Sequence, residues 1–217
     1  GLFEPVGYGL VVLLDQGRPM LAGSAFPDRS HIPDLTSSVE TWDDYDKAIE
    51  AESEAAAAAG LPEAAVPFIV MRSDGGWSQV PVSTSELISD AYVENANDVW
   101  MVGTGGLILR GNASEGFRDI SFHGDRDKNL VSITKFRDRM VIASDYALHW
   151  FDGHLLTPLK PKIDPFVNRN VPTPLKVQAV DEVLFYFDYK HGVHRFDGEN
   201  WEEIIIPPEL LEREFKG

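Results

Sequence analysis

Apolar residues along this chain fall into short runs of four to seven, separated by clusters of Gly, Asp and Asn. Runs of that length, rich in β-branched and aromatic residues and bounded by turn formers, read as strands. Segments 9–14 and 18–25 are the first two, with a turn at 15–17. The pattern resumes at 67–72 and 77–82. A second group covers 87–93, 98–103, 107–110 and 117–120. A third covers 130–136, 140–143, 148–151 and 155–159, and a fourth 175–180, 183–187, 193–196 and 201–206. Pro208 opens a short helix expected over 208–215.

The groups recur with a measurable period. The turn after the third strand carries Asp74, Asn112, Asp152 and Asp197, at spacings of 38, 40 and 45 residues. Gly75, Gly153 and Gly198 follow three of these, and Ala113 the fourth. Asp-Gly between apolar strands signals a hairpin, since a type I′ turn needs positive φ at both central residues. Four-strand units at such spacing suit β-propeller blades, because one small sheet cannot bury both faces alone and must stack on its neighbours. The expected fold is all-β, a single propeller-type domain over 1–217. It has about four blades of four antiparallel strands, at 7–82, 86–121, 129–160 and 174–206. Four blades either close a small ring or form half of a larger one completed by a second copy of the chain, a homodimer.

One segment breaks the period. Residues 27–64 lack a strand pattern, and 39–59 is dense in strong helix formers. Ser37 or Ser38 is the expected N-cap, Gly60 the C′ residue and Pro62 the stop. Val39, Trp42, Tyr45 and Ile49 recur at steps of three and four, which makes one apolar stripe suited to burial against the ring. The insertion carries ten acidic and two basic residues, a net −8 and half of the whole chain's −16. It interrupts the connection between the second and third strands of the first blade. The equivalent connections at 104–106, 145–146 and 188–192 are short, and all emerge on one face of a propeller. The helix is therefore expected at one mouth of the ring, beside Asp145, Tyr146, Tyr189 and Lys190, where loops on a rigid scaffold usually carry function.

Charge narrows the partners. A net −16 disfavours nucleic acid and anionic membranes and favours a basic protein. The absence of cysteine means no disulfide framework. No apolar run reaches the roughly 18 residues of a membrane span, and the start has no basic leader region. The expected location is cytoplasmic, or periplasmic if a leader has been removed.

The second group carries a recognisable blade. DVWMVGTGGLILRGNASEGF resembles the repeat of bacterial propellers related to the Asp-box and photosystem-assembly-factor families. The residues that match are Trp100, Gly103, Gly105, Gly106, Ile108, Leu109, Arg110, Asn112 and Phe117. Segment 73–77 resembles an Asp-box without its spacer residues. The arrangement is also similar to propeller-like immunity proteins encoded beside secreted polymorphic toxins of bacteria. Their last blades end in Phe-Asp-Gly and Trp, as Phe196, Asp197, Gly198 and Trp201 do here. The resemblance implies the propeller fold and, through the immunity proteins, neutralisation of a toxin such as those of type VI secretion.

No Gly-x-Ser-x-Gly, phosphate loop or His-Glu-x-x-His is present. The repeated Asp and Asn residues suit Asx turns. His191 and His194 are three apart on a strand and face opposite sides; His194 shares its repeat position with His149, which points to packing. Arg72, Arg110 and Arg195 share a position beside the turn, which points to a structural role at the blade periphery. No cofactor, metal or catalytic residue is expected. The expected function is non-enzymatic protein binding, most specifically by an immunity protein against a basic toxin such as a nuclease. Its contacts would be Trp42, Asp43, Asp44, Tyr45, Asp46, Glu50 and Glu52. The alternatives are an assembly factor or scaffold, and a glycan-directed hydrolase or lectin that uses Trp100 or Trp150.

Overall fold

The structure, a computed structural model, describes residues 10–13, 18–25, 34, 39, 41–60, 66–122, 124, 127–159, 174–189, 192–205 and 207. The expected helix over 208–215 lies outside these residues, as do Ser37, Ser38, Pro62, Lys190 and His191. The architecture is all-β and propeller-type, with four antiparallel four-stranded sheets and one α-helix. The chain divides into two compact units, Gly1–Ile88 and Ser89–Gly217.

The first unit holds the sheet β1 (Leu10–Leu13), β2 (Pro19–Ala25), β3 (Val66–Ser73) and β4 (Gly76–Gln79), in that order. Met20 and Ala22 of β2 and Ile69 of β3 are fully buried. Met20 and Ile69 alternate with half-buried neighbours, as a period of two requires, whereas Ala22 is followed by buried Gly23 and Ser24. The helix α1 (Trp42–Ala58) lies in the chain between β2 and β3. Those two strands pair from Met20↔Met71 to Ala25↔Val66, so the segment that contains α1 leaves and re-enters the sheet at adjacent positions.

The second unit holds three sheets. The first is β5 (Ile88–Asn95), which starts at the boundary, β6 (Asp98–Gly103), β7 (Ile108–Asn112) and β8 (Gly116–Asp119). The second is β9 (Leu130–Phe136), β10 (Arg139–Ser144), β11 (Leu148–Phe151) and β12 (Leu156–Pro158). The third is β13 (Pro174–Val180), β14 (Val183–Asp188), β15 (Gly192–Phe196) and β16 (Trp201–Ile204). Strand β10 shows why these runs are apolar at nearly every position. Met140 and Ile142 pack with Trp100, Val102 and Ile108 of the preceding sheet. Val141 and Ala143 pack with Val177, Leu184 and Tyr186 of the following one. A strand covered on both faces cannot alternate, and a valine, isoleucine or methionine there stabilises by about 1.5–3 kcal/mol when fully buried.

The three first strands meet through side chains. Asp90 of β5 is buried; its Oδ2 accepts from Ser132 Oγ at 2.6 Å and from the Ile133 N–H at 3.0 Å. Lys176 Nζ of β13 donates to both of its oxygens, at 2.7 and 2.8 Å. Ser132 Oγ accepts the Val177 N–H at 3.1 Å, and Thr134 Oγ1 accepts the Ala179 N–H at 3.1 Å. Each first strand is the edge of its sheet. Backbone donors on such an edge must find partners when buried, and here side-chain oxygens of the neighbouring sheet supply them.

The hairpin turns depart from the expected type I′ form. In β7–β8, β11–β12 and β15–β16 the loop is longer than two residues, and one Asx oxygen holds it. Asn112 Oδ1 accepts the N–H groups of Ser114 and Glu115, both at 2.9 Å. Asp152 Oδ1 accepts those of His154 and Leu155, both at 2.9 Å. Asp197 Oδ1 accepts those of Glu199 and Asn200, at 2.8 and 2.7 Å. The side chain does the work that two positive φ angles would otherwise do. At Gly111 the close approach is real: a Cβ there would meet the carbonyl oxygen of Gly116. Among the described residues, the one two-residue loop with positive φ at both positions is Asp181–Glu182, at 47° and 64°, with no glycine.

Removing Asp90 strands Ser132, the Ile133 N–H and Lys176 together. Asp90→Ala should cost about 2–3 kcal/mol, the loss of hydrogen bonds to a charged group, read from the urea midpoint. The Asx turns give a pH prediction. Backbone donors, Leu155 first for Asp152 and Asn200 first for Asp197, hold both carboxyls below the ordinary carboxylate range. A pKa depressed by folding stabilises fully above the unfolded value, about 4, and that contribution is lost as pH falls through the folded value. Asp152→Asn with Asp197→Asn should keep the turns, since Asn112 makes the same pair of bonds. The double variant should lose less stability than the parent as pH is lowered below about 4, measured by urea midpoint against pH. Parallel acid limbs in the two proteins would refute the assignment.

Candidate partner-binding surface

Helix α1 begins at a cap that the spacing of its own residues sets. Thr41 is the N-cap in place of Ser37 or Ser38. Its Oγ1 accepts the Asp44 N–H at 3.2 Å and donates to Asp44 Oδ2 at 2.7 Å. Asp43 and Asp44 in the first turn suit the positive end of the helix dipole. The other end stops as expected. Gly60 adopts φ +70°, and its N–H donates to the Ala57 carbonyl at 2.9 Å.

The buried side of α1 differs from the expected apolar stripe. Ala48 and Ala56 are buried, and Glu52 and Ala55 are half-buried. Tyr45 is 37% exposed and Ile49 45% exposed. By angle Tyr45 lies between Ala48 and Ala56 and Ile49 next to Ala56, yet both stay partly exposed while the small alanines are covered. The side chain of Trp42 lies outside the described residues.

The outer side is acidic. Asp43, Asp46, Glu50 and Glu54 are exposed and follow one another at steps of three, four and four. At 100° per residue they form one stripe opposite Ala48 and Ala56. Among the described residues these four have no ion-pair partner, whereas Asp44 pairs with Lys47 at 3.6 Å. Of the seven expected contacts, Asp43, Asp46 and Glu50 thus share a stripe, while Tyr45 falls by angle between Ala48 and Ala56. Glu52 turns toward the alanine side. Glu54, omitted from the expected set, completes the stripe; its step of four from Glu50 is the signal that identifies it.

The other candidate residues serve the blades. Arg110 binds Asp98 through two bonds, at 2.7 and 2.8 Å, and lies 4.4 Å over the Trp100 ring. The hydrogen bond from Arg110 holds the Asp98 carboxyl below the usual range. Arg195 Nε donates to Glu202 at 2.7 Å, and Arg72 lies over Trp77. These arginines are each engaged within their own sheet. Trp100 is buried in edge contact with Phe151, and Trp150 stacks on Phe136 under Arg139. Each tryptophan ring thus carries an arginine over it. His149 and His194 are both buried; His149 Nε2 lies 3.1 Å from Ser144 Oγ, and His194 stacks on Tyr186. Among the described residues no three His, Asp or Glu side chains gather as a metal site, and no helix is long and apolar enough to cross a membrane.

Among solved structures the chain is similar to YCF48 from Cyanidioschyzon merolae, at 20% identity over 63% of this chain and 43% of that one, with a TM-score of 0.47. It is similar to YCF48 bound to D1 peptide, at 18% identity over 58% of this chain and 41% of that one, with a TM-score of 0.44. It also matches the extracellular domain of BT4673 from B. thetaiotaomicron, at 12% identity over 91% of this chain and 21% of that one, with a TM-score of 0.52. The chain therefore spans less than half of each of these proteins. No protein-family model matches the chain, and no curated protein matches it. At these identities the likeness establishes the fold, an all-β propeller type with one helix.

Proposed function

We propose that this protein is a non-enzymatic binding module that takes a basic protein partner on the acidic stripe of α1. The observation that carries the reading is the set of four exposed carboxylates, Asp43, Asp46, Glu50 and Glu54, without ion-pair partners among the described residues. Like charges at these helical spacings destabilise a helix by about 0.2–0.5 kcal/mol per pair. A purely structural helix would be more stable with lysine or glutamine at some of them. Ile49, 45% exposed and about 60° around the helix from Asp46, offers apolar contact area beside the stripe.

The finer reading is an immunity protein that neutralises a basic toxin, for example a nuclease, in the cytoplasm. Its support is the chain's charge of −16, the exposed acidic helix and the resemblance carried by the blade repeats. Opposite charges across such an interface steer encounter and raise the association rate. The contact set is Trp42, Asp43, Asp44, Tyr45, Asp46, Glu50 and Glu52, with Glu54 added.

The test uses the parent and a variant with Asp43→Asn, Asp46→Asn, Glu50→Gln and Glu54→Gln as baits in source-organism lysate at low and high salt. Recovery of one basic protein by the parent, reduced at high salt and lost with the variant, is the expected result. Glu50→Gln alone, which relieves the Asp46–Glu50 and Glu50–Glu54 pairs and leaves the first turn intact, should stabilise by about 0.2–0.5 kcal/mol for each pair, read from the urea midpoint. Capture of the same protein by both baits would remove the stripe from the interface. Capture of an acidic protein would remove the charge argument.

A further inference from the structure

The sequence holds three Asp-Gly steps, at Asp74–Gly75, Asp152–Gly153 and Asp197–Gly198. At such a step the glycine nitrogen can attack the side-chain carboxyl carbon of the aspartate, since glycine puts no side chain in the way. The covalent chemistry is the same at all three. The surroundings are not.

At Asp152 and Asp197 the carboxyl is held. Asp152 Oδ1 accepts the N–H groups of His154 and Leu155, and Asp197 Oδ1 those of Glu199 and Asn200. Rotation of either carboxyl onto its glycine nitrogen must break both bonds. The same donors hold both carboxyls below the ordinary carboxylate range. An ionised carboxylate is a poor electrophile, and these bonds make the reactive protonated form scarcer. Arg137 adds a cover at the second step. It donates to the Asp197 carbonyl, and its guanidinium fills the space that a Cβ on Gly198 would need.

Asp74–Gly75 has none of this. It is the two-residue loop between β3 and β4, closed by the pair Ser73↔Gly76. The positive φ falls on Gly76, at +111°, and the Ser73 hydroxyl donates to the Gly76 carbonyl at 3.3 Å. Asp74 and Gly75 are both exposed. Among the described residues, neither the Asp74 carboxyl nor the Gly75 N–H has a hydrogen-bond partner. The space beside Gly75 is open: a Cβ there would meet only Ser73 Oγ, at 3.9 Å.

We propose that Asp74 is a site of spontaneous isomerisation to isoaspartate, and that the paired turn bonds protect Asp152 and Asp197 from the same reaction. The Gly75 nitrogen bonds to Cγ of protonated Asp74. The carboxyl OH and the amide proton leave as water, and a five-membered succinimide closes. Water then adds to one of its two carbonyls. Opening at the main-chain carbonyl sends the chain through Cβ and Cγ and frees the old carbonyl as a carboxylate. Opening at the other restores Asp74. Water is the one reagent, and mass and charge are unchanged. The additional main-chain carbon falls in a loop of two residues, where a hairpin has least slack. The hairpin is separate from α1, and the inference stands without the reading given to that helix.

The test ages the full chain at neutral pH, below its melting transition, and maps its peptides for isoaspartate. The readouts are methylation by an isoaspartate methyltransferase with S-adenosylmethionine, and electron-transfer fragmentation, which distinguishes the two isomers. Isoaspartate should build up several-fold faster at Asp74 than at Asp152 or Asp197. In urea, which removes the turns, the three rates should converge. Gly75→Ala, which the open space accommodates, should suppress the product at Asp74 and leave the other two sites unchanged. Equal accumulation at Asp152 or Asp197 in the folded protein would overturn the proposal. So would an Asp74 that reacts in urea and not in the folded chain.

Discussion

A sheet edge that is buried must dispose of its unpaired N–H groups, and the second unit solves this with side-chain oxygens from the next sheet. Asp90 caps the Ile133 donor, Ser132 that of Val177, and Thr134 that of Ala179. The edges are thereby joined without a continuous backbone ladder, which would merge the three sheets into one. Everything else in the unit follows from keeping the sheets distinct yet touching. Both faces of β10 become core, and the hairpins at the far edges are free to carry polar turns. A carboxylate in this place is sustained because Lys176 and two further donors surround it. A buried charge with less support would be a net cost.

The class of fold was legible because blade strands repeat a local signal: an apolar run, a turn former, an aromatic. The helix was legible for the same reason, since strong helix formers lead to Gly60. What was misread depends on distance or on fit. Thr41, and not a serine, became the cap because its partner Asp44 lies three residues on, a spacing present in the sequence but outweighed by the earlier serines. Tyr45 and Ile49 matched an apolar period, yet Ala48 and Ala56 are the ones buried. Periodicity identifies a face only to within about a third of a turn, and close packing then favours the smaller side chains. The Asp90 cluster left no trace, because Ser132 and Lys176 lie 42 and 86 residues away from it. Asp181 and Glu182 gave no sign of left-handed backbone, since a two-residue hairpin ordinarily announces itself with Asn or Gly.

The acidic residues divide into two kinds once the structure is in view. In the second unit many have structural duties: Asp98 holds Arg110, Glu94 holds Lys135, Glu202 holds Arg195, and Asp152 and Asp197 shape turns. On α1 a continuous stripe has none among the described residues. Net charge alone could not make this distinction. It treats a carboxylate that closes a hairpin and one that faces solvent as equal, although only the second is available to another molecule.

The pairing of Ala25 with Val66 has a consequence for how such a chain can vary. The two ends of the inserted segment sit on neighbouring strands about 5 Å apart, the separation of any hairpin's ends. Lengthening a loop between fixed ends adds entropy cost only logarithmically. The segment therefore behaves as a cassette: its length, helix and charge can be exchanged while the strands that frame it keep their register. If the proposed function holds, a lineage could change partners by replacing this one piece, and a designer could graft an unrelated helix into the same slot.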